Sequence, residues 1–298
     1  MEYHQPVLLN ESINGLDIKP EGIYVDATYG GGGHSKEILK RLKKGKLIGF
    51  DQDEDTTSNV LEDNRFIFVN HNFRFLKNFL KYYKISSIDG LIADLGVSSH
   101  HFDTPKRGFS FRFNGNLDMR MNTNADFTAQ DMVNSYSFEE LTLILREYGE
   151  LDNAKIVARK IVDARKEKPL VEIRDLLDAI TDCLPRKNEN QYLAKIFQAL
   201  RIEVNSEIKY LKEMLLQATE LLKSQGRLVI ISYHSLEDRT VKNFIRSGQF
   251  EGEVETDVFG NINRPLDPVN RRVIVPDENE IIINSRARSA KLRIAVKR

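Results

Sequence analysis

Three aspartates stand where chemistry is possible, because each follows directly on a short apolar run typical of a buried parallel strand. Asp26 follows the run Ile23–Val25, and Asp51 and Asp94 follow two similar runs further along the chain. Parallel strands of a doubly wound sheet end at one edge, where ligands bind. We therefore expect the three carboxylates to surround a ligand with several hydrogen-bond donors, such as ribose hydroxyls and an ammonium group.

A glycine-rich turn lies just beyond Asp26. Gly30–Gly33 precede a helical pattern that begins near Ser35, and a strand, a glycine turn and a helix together open a nucleotide-binding sheet. No Gly-Lys-Ser/Thr follows the glycines, which excludes a lysine P-loop. The dinucleotide fingerprint is incomplete, since Ser35 stands where its third glycine belongs. Asp51, roughly 20 residues beyond the glycines, is placed to bind the two ribose hydroxyls of an adenosine cofactor.

S-adenosylmethionine fits this edge better than NAD, because its methionine part carries an amine that Asp26 and Asp94 are able to bind. Phe73 follows the third predicted strand. It either lies against the adenine or is the first core residue of the next helix. His100 and His101 are adjacent, but no other ligand stands at metal-binding spacing, so no metal site is predicted.

The elements that must position these residues are strands that alternate with helices as far as Asp94 and resume with Gly226–Ser232. Between them lies a long region whose apolar spacing is wholly helical. We predict an α/β fold, with a Rossmann-like doubly wound sheet and an inserted all-helical domain. The sheet domain comprises residues 1–104 and 196–298, and the insertion comprises residues 105–195. Two last strands, residues 271–275 and 290–296, are predicted to form a hairpin at the sheet edge.

An aromatic segment opens the insertion. Phe109, Phe111 and Phe113 alternate, so in a strand they would share one face. That face either covers the core or forms a base-stacking platform edged by Arg107 and Arg112.

The overall composition is balanced. Forty-four basic and 44 acidic residues cancel over 298 residues, so net charge alone points to no partner. A basic loop with Arg286, Arg288 and Lys291 is either solvated or a local footprint for phosphates. Cys183 is the sole cysteine, which excludes internal disulfides and a cysteine zinc cluster. No stretch is apolar enough to span a bilayer and no signal-peptide profile is present, so we expect no membrane contact and a cytoplasmic protein.

The strand-end carboxylates favour a methyltransferase over a dehydrogenase. Methylation of a pyrimidine ring carbon needs a cysteine nucleophile, and Cys183 belongs to the helical insertion. Methylation of a ring carbon is therefore not expected, and transfer to nitrogen or oxygen remains. In such a transfer the enzyme mainly positions the acceptor lone pair against the methyl group. For an exocyclic amine, Asp94 or the carbonyls of Leu95 and Gly96 would accept the N–H bonds.

Seven motifs stand in the same order as in the ribosomal RNA small subunit methyltransferase H family, which this chain resembles from His4 to Arg293. They are residues 26–35 (DATYGGGGHS), 94–99 (DLGVSS), 107–111 (RGFSF), 117–121 (LDMRM), 197–202 (FQALRI), 235–239 (SLEDR) and 286–293 (RARSAKLR). The chain departs from the family at Gln191–Lys195, where His-Pro-Ala is common, and at Ser285, where proline is common. Both departures concern contacts with RNA rather than the reaction.

The resemblance implies a class I S-adenosylmethionine-dependent methyltransferase fold. It also implies methyl transfer from S-adenosyl-L-methionine to the N4 amine of one cytidine in the decoding region of small-subunit (16S) rRNA, on the assembled subunit. The family's cofactor contacts fall here on Gly32, Gly33, His34, Asp51, Phe73, Asp94 and His101, to which the strand-end argument adds Asp26. The oligomeric state, monomer or homodimer, is left open.

Two other classes of protein compete with this interpretation. One is an NAD-dependent oxidoreductase, against which the missing third glycine and the strand-end aspartates argue. The other is a non-catalytic RNA-binding or assembly factor on the same fold. Binding of S-adenosylmethionine separates both from a methyltransferase.

Overall fold

The computed structural model describes residues 6–97, 99–252, 256, 260, 262–270 and 272–298, apart from the side chains of Ser99 and His100. His4 and Arg271 lie outside the described residues. The chain divides into two compact units, one formed by Met1–Gly96 with Ile208–Arg298 and the other by Val97–Glu207. We call them the sheet unit and the inserted unit.

The sheet unit is built on a seven-stranded sheet in the order β3-β2-β1-β4-β5-β7-β6. The strands are β1 (Ile23–Asp26), β2 (Lys46–Phe50), β3 (Phe66–Val69), β4 (Ile88–Asp94), β5 (Leu222–Ser232), β6 (Leu266–Pro268) and β7 (Lys291–Lys297). Strands β1 to β5 run parallel, and β7 is antiparallel to both of its neighbours. In the class I methyltransferase arrangement, a parallel doubly wound sheet has one antiparallel strand, β7, inserted between β5 and β6. This sheet has that arrangement, so the predicted fold class is confirmed.

The sheet is apolar on both faces, as a parallel sheet covered by helices must be. Alternate residues of each strand enter different cores: Val25 packs with residues of the later helices, whereas its neighbour Tyr24 packs with the first two helices. Both side chains are at most 1% exposed. The strands therefore lie fixed between two helical layers, and their carboxyl ends are held in register.

The helices of both units follow in chain order. They are α1 (Leu9–Leu16), α2 (Gly33–Arg41), α3 (Leu76–Tyr82), α4 (Ser99–Asp103), α5 (Ala129–Ser135), α6 (Phe138–Glu147), α7 (Ala154–Glu167), α8 (Ile173–Ile180), α9 (Glu189–Val204), α10 (Glu207–Leu221), α11 (Ser235–Ser247) and α12 (Glu278–Ile283). Helix α6 starts with a capping box, in which the Ser137 and Glu140 side chains satisfy each other's backbone N–H groups. None of the described helices is long and apolar enough to cross a membrane.

The C-terminal hairpin differs from its prediction in one strand. The second strand is β7, as expected, but its partner is β6 at residues 266–268 rather than residues 271–275. Of the predicted segment, Ile274 makes only an isolated bridge to Leu292. Pro276 follows closely, and a proline has no N–H to extend a ladder in that direction.

The inserted unit has its own apolar core, drawn from α5 to α9. The predicted strand through Phe109, Phe111 and Phe113 is wrong, since these residues form turns and irregular chain. Phe109 is buried, Phe111 packs edge-on against Phe197, and Phe113 is 47% exposed. The three rings therefore share neither a strand nor a face.

Arg107 likewise has a structural role within the inserted unit. It is 5% exposed, and its Nη2 donates to the carbonyls of Arg120 and Met121 at 3.1 and 3.0 Å. The Asn205 side chain bonds the same loop, accepting from Met121 N and donating to Met119 O. Met119 has a positive φ of 60°, a strained backbone that such contacts must hold. The RGFSF and LDMRM motifs thus meet at one loop, and Asn205 at the end of α9 helps to fix it.

Candidate active site

The carboxyl ends of the parallel strands in the sheet unit bring the three predicted aspartates to one edge. Asp26 ends β1, Asp51 follows β2, and Asp94 ends β4. Asp26 lies opposite Ile92 in the sheet register, two residues before Asp94. The expectation that these aspartates share a sheet edge is confirmed.

The glycine turn carries the chain from β1 into α2. Gly30 and Gly32 have φ values of +52° and +74°, a conformation that glycine adopts without strain. A Cβ on Gly32 would also stand 2.6 Å from the Tyr29 hydroxyl oxygen. Helix α2 begins at Gly33, so the N–H groups of its first turn point out of the helix end, where they favour an anionic group. We predict that this end of α2 binds a carboxylate of the ligand.

Asp26 holds this turn in place through two hydrogen bonds. Its Oδ2 accepts from the Ser35 hydroxyl at 2.7 Å, and its Oδ1 accepts from Thr28 N at 3.2 Å. Burial raises the pKa of Asp26 to about 6. Both oxygens thus serve the turn and the start of α2, and direct contact of Asp26 with a cofactor stays a prediction.

Asp51 ties the glycine turn to the end of β2. Its Oδ2 accepts from Gly30 N at 2.7 Å, and its Oδ1 accepts from Asp53 N at 2.9 Å. The Asn70 side chain, from the end of β3, donates to the carbonyl oxygens of Asp51 and Asp53. Burial raises the pKa of Asp51 to about 6. Each carboxylate oxygen keeps a second lone pair, so Asp51 is able to accept from ribose hydroxyls while it holds the turn.

Phe73 begins a short 3-10 helix just before α3, and Asn72 caps it through Arg74 N. The ring packs against the core yet remains partly exposed. The guanidinium of Arg74 stacks on the rings of Phe75 and Tyr210, at 4.4 and 4.7 Å from their centroids. Phe73 is therefore a core residue just before α3, and its contact with an adenine stays a prediction.

Asp94 is held through its main chain and its side chain. Its N–H donates to the Thr28 hydroxyl at 2.6 Å, and its Oδ1 accepts from the Tyr233 hydroxyl at 2.7 Å. The pKa of Asp94 is raised to about 7, and burial is the largest cause. The Tyr233 hydrogen bond opposes that rise. The negative charges of Asp26, Glu237 and Glu280 raise it further.

These carboxylates make the edge electronegative. In the part of the chain that the structure describes, no lysine or arginine pairs with Asp26, Asp51 or Asp94. Buried carboxylates without a counter-ion favour a cation, and their raised pKa values record the cost of that missing charge. A ligand with an ammonium and a sulfonium group would supply positive charge there, and we predict that its carboxylate lies at the end of α2.

The side chain of His34 is not the group that we predict to bind the ligand. The ring is 6% exposed, its Nε2 lies 3.2 Å from Val7 O, and burial lowers its pKa to about 4. The ring is therefore neutral and faces the N-terminal segment. Its expected contact with the cofactor stays a prediction, for which its backbone N–H in the first turn of α2 is available.

His101 belongs to the inserted unit, in α4. It is 6% exposed, and its ring lies 4.7 Å from the Phe109 ring, centroid to centroid. Its expected contact with the cofactor stays a prediction.

Tyr233 was overlooked as a site residue, although a signal for it was present. It follows β5, the neighbour of β4, and so stands at the same edge as Asp94. Ser235 and Asp238 have the spacing of a capping box, but the observed cap is His234 with Glu237, one residue earlier. Asp238 instead pairs with Arg293 and Lys291, at 2.7 and 3.5 Å. Lys291 therefore has a carboxylate partner within the protein.

The strand order, the glycine turn and the unpaired strand-end carboxylates together define a class I methyltransferase that takes S-adenosyl-L-methionine. A sequence model of the MraW methylase family matches residues 1–298. The chain belongs to this family.

Relatives support the same assignment over the full length. The chain is 58% identical to the ribosomal RNA small subunit methyltransferase H of Phocaeicola vulgatus, over 99% of this chain and 98% of that one. It is 55% identical to the protein of the same name from Flavobacterium johnsoniae, over 100% and 98%. Among solved structures, an rRNA methylase from Streptococcus thermophilus covers 100% of this chain and 98% of its own, at 14% identity and a TM-score of 0.42.

Proposed function

We propose that this methyltransferase acts in the cytoplasm on the RNA of the small ribosomal subunit and methylates the exocyclic N4 of one cytidine in the decoding region. The names of the full-length relatives support an rRNA substrate. The observation that carries the choice of acceptor is Asp94, a strand-end carboxylate held by Thr28 and Tyr233 beside the electronegative edge. A carboxylate oxygen accepts an amine N–H and so distinguishes N4 from a ring carbon.

In this reaction the protein mainly positions the two reactants and forms no covalent bond with them. Bound S-adenosylmethionine supplies a methyl group on a positively charged sulfur. The N4 lone pair forms the new N–C bond as the S–C bond breaks, and N4 then loses a proton. Asp94 accepts an N–H of the amine and aims the lone pair, and its pKa of about 7 lets it take up that proton or pass it to water. A cysteine adduct has no part, since Cys183 lies in the inserted unit after α8.

We further propose that the inserted unit, predicted from sequence as residues 105–195, helps to hold the RNA. Helix α7 presents exposed Lys155 and Arg159, and the Arg159 guanidinium lies 4.3 Å from the centroid of the Phe138 ring. A guanidinium held over a ring offers both charge for phosphates and a flat surface for bases. Arg288, exposed in the sheet unit, adds a second basic position.

The test uses methyl-labelled S-adenosylmethionine and small ribosomal subunits from cells that lack this protein, followed by nucleoside mass spectrometry. We expect label on N4-methylcytidine, reduced at least about 100-fold by Asp94→Ala. Asp89→Ala is the matched control, since Asp89 is a buried carboxylate at the other end of β4, where it binds Ile23 N and Lys223. Label on another nucleoside would overturn the proposed target, and full activity of Asp94→Ala would overturn the role of Asp94.

A further inference from the structure

We propose that Tyr233 is a positioning residue for methyl transfer: its hydroxyl holds one oxygen of Asp94 and thereby presents the other oxygen to the acceptor amine. This inference rests on the proposed function, because it assigns a partner to the carboxylate that binds the acceptor.

The geometry assigns the two oxygens of Asp94 different tasks. The Tyr233 hydroxyl donates to Oδ1 at 2.7 Å. A phenol has a single O–H to donate, so Oδ2 is left to accept from the amine. The Asp94 N–H is fixed on the Thr28 hydroxyl at 2.6 Å. Because backbone and Oδ1 are both held, the carboxylate has little freedom to rotate, and Oδ2 keeps one direction.

Tyr233 is itself held in place. Its N–H donates to Oε2 of Glu237 at 2.9 Å, and Glu237 is only 2% exposed. Its ring lies against Gly96, where a Cβ would come 3.4 Å from Tyr233 Cδ2. The cap of α11 and the chain after β4 thus fix the phenol from two sides. The hydroxyl reaches Asp94 through this fixed ring rather than by a flexible side chain.

The charges around Asp94 explain why a donor is needed. Asp26 from β1, Glu237 from α11 and Glu280 from α12 all disfavour its ionised form, and burial disfavours it most. The Tyr233 hydrogen bond acts in the opposite direction and lowers the pKa of Asp94. The pKa of Tyr233 is raised well above its usual value, first by burial and then by Asp94, so the hydroxyl stays protonated as a donor. Removing it raises the pKa of Asp94.

The decisive variant is Tyr233→Phe, which removes one oxygen and keeps the ring. With small subunits and labelled S-adenosylmethionine, we expect kcat to fall about 10- to 100-fold, the range for a hydrogen bond to a charged group. Well above the pKa of Asp94, where this carboxylate is ionised in both proteins, we expect KM for S-adenosylmethionine to change less than about threefold. Because the pKa of Asp94 rises, the acidic limb of the pH profile of kcat moves to higher pH.

The matched control is Tyr24→Phe. Tyr24 is a buried tyrosine of the same unit, and its hydroxyl accepts from Lys19 N at 2.7 Å, away from Asp94. We expect this variant to lose thermal stability yet keep the wild-type pH profile. If Tyr233→Phe keeps wild-type kcat and an unshifted acidic limb, or merely loses stability as Tyr24→Phe does, the inference is wrong.

A second substitution guards against a Tyr233→Phe protein that does not fold. Tyr233→3-fluorotyrosine keeps the hydroxyl but makes it a stronger donor, so we expect the acidic limb to move to lower pH, opposite to the phenylalanine variant. A limb that stays in place overturns the inference. Failure of the wild-type protein to methylate small subunits would instead refute the proposed function, so the two failures are distinguishable.

Discussion

Pro6 fills the space that a side chain at residue 33 would need, since a Cβ on Gly33 would stand 2.1 Å from the Pro6 Cγ. The next two residues are also held. Val7 O faces Nε2 of His34 at 3.2 Å, and Leu8 N donates to Oε1 of Glu280 at 2.7 Å. Pro6 and Val7 are therefore packed on the first turn of α2, the end that we assign to the cofactor's carboxylate.

Gly33→Ala tests this packing. The added methyl group must displace Pro6 or α2, and we expect a loss of about 1–3 kcal/mol in the free energy of unfolding together with weaker binding of S-adenosylmethionine. Chemical denaturation and calorimetric titration measure the two effects.

A double-mutant cycle provides the control for Gly33→Ala. Pro6→Ala removes the ring that collides, so the cost of Gly33→Ala should shrink in that background. Equal costs in the two backgrounds would show that Pro6 is not what limits residue 33.

Asp51→Asn should weaken S-adenosylmethionine binding by about 10- to 100-fold, the range for a lost hydrogen bond to a charged group. An asparagine has only one acceptor oxygen, whereas Asp51 accepts from both Gly30 N and Asp53 N. Calorimetric titration measures the affinity. Asp63→Asn is the control, because that carboxylate pairs with Arg65 at the surface and should leave binding unchanged. Equal affinities of wild type and Asp51→Asn would remove Asp51 from the cofactor site.

Cofactor affinity should depend on pH in a direction set by the carboxylates. Asp26 and Asp51 have pKa values of about 6 and Asp94 one of about 7. A carboxyl group is neutral below its pKa, so acidification from about pH 8 to about pH 5, one unit above the highest and one unit below the lowest of these values, removes negative charge from the site. Affinity for S-adenosylmethionine should fall by up to about tenfold per pH unit for each group that must ionise.

S-adenosylhomocysteine supplies the comparison, since it lacks the positive charge on sulfur. Its affinity should fall less over the same range. His34, with a pKa of about 4, stays neutral there and adds no charge. Titrations of both ligands at each pH measure the difference, and equal pH slopes would contradict the electrostatic account of the site.

Two arginines of the RGFSF region should respond differently to removal. Arg107→Ala takes two hydrogen bonds from the loop that contains Met119, and we expect it to cost about 1.5–3 kcal/mol of stability. Arg112 is exposed, so Arg112→Ala should leave stability within about 0.5 kcal/mol while weakening RNA binding. Thermal denaturation and filter binding of rRNA measure the two effects. Loss of stability in both variants, or in neither, would contradict the assignment of a structural role to Arg107 and an RNA-binding role to Arg112.

Much of the sheet unit is predictable from sequence because its signals are local. The apolar runs before Asp26, Asp51 and Asp94 place the strands, and the parallel arrangement then brings their ends together. The Tyr233–Asp94 contact was not predictable in the same way. It joins residues 139 positions apart, and it depends on the cap of α11 beginning at His234 rather than at Ser235.

The inserted unit shows where pattern reading fails. Alternating phenylalanines predict a strand only when the backbone has a neighbour to pair with, and in the described chain residues 109–113 have none. The pattern suggests a surface cation at Arg107, yet its side chain is buried and donates to carbonyl groups 13 and 14 residues further along the chain. Such contacts depend on chain segments that meet only after folding, so local sequence does not record them.

The division of the sheet unit into two segments bears on how the chain folds during synthesis. Strand β4 emerges from the ribosome early, but its partner β5 follows only after the whole inserted unit. Until then the apolar edge of β4 is unpaired, a hazard for association with other chains. The inserted unit has a core of its own, so it is able to fold before β5 is synthesised. A folded insertion shortens the disordered loop that β4 and β5 must close, and it lowers the entropy lost when the sheet is completed.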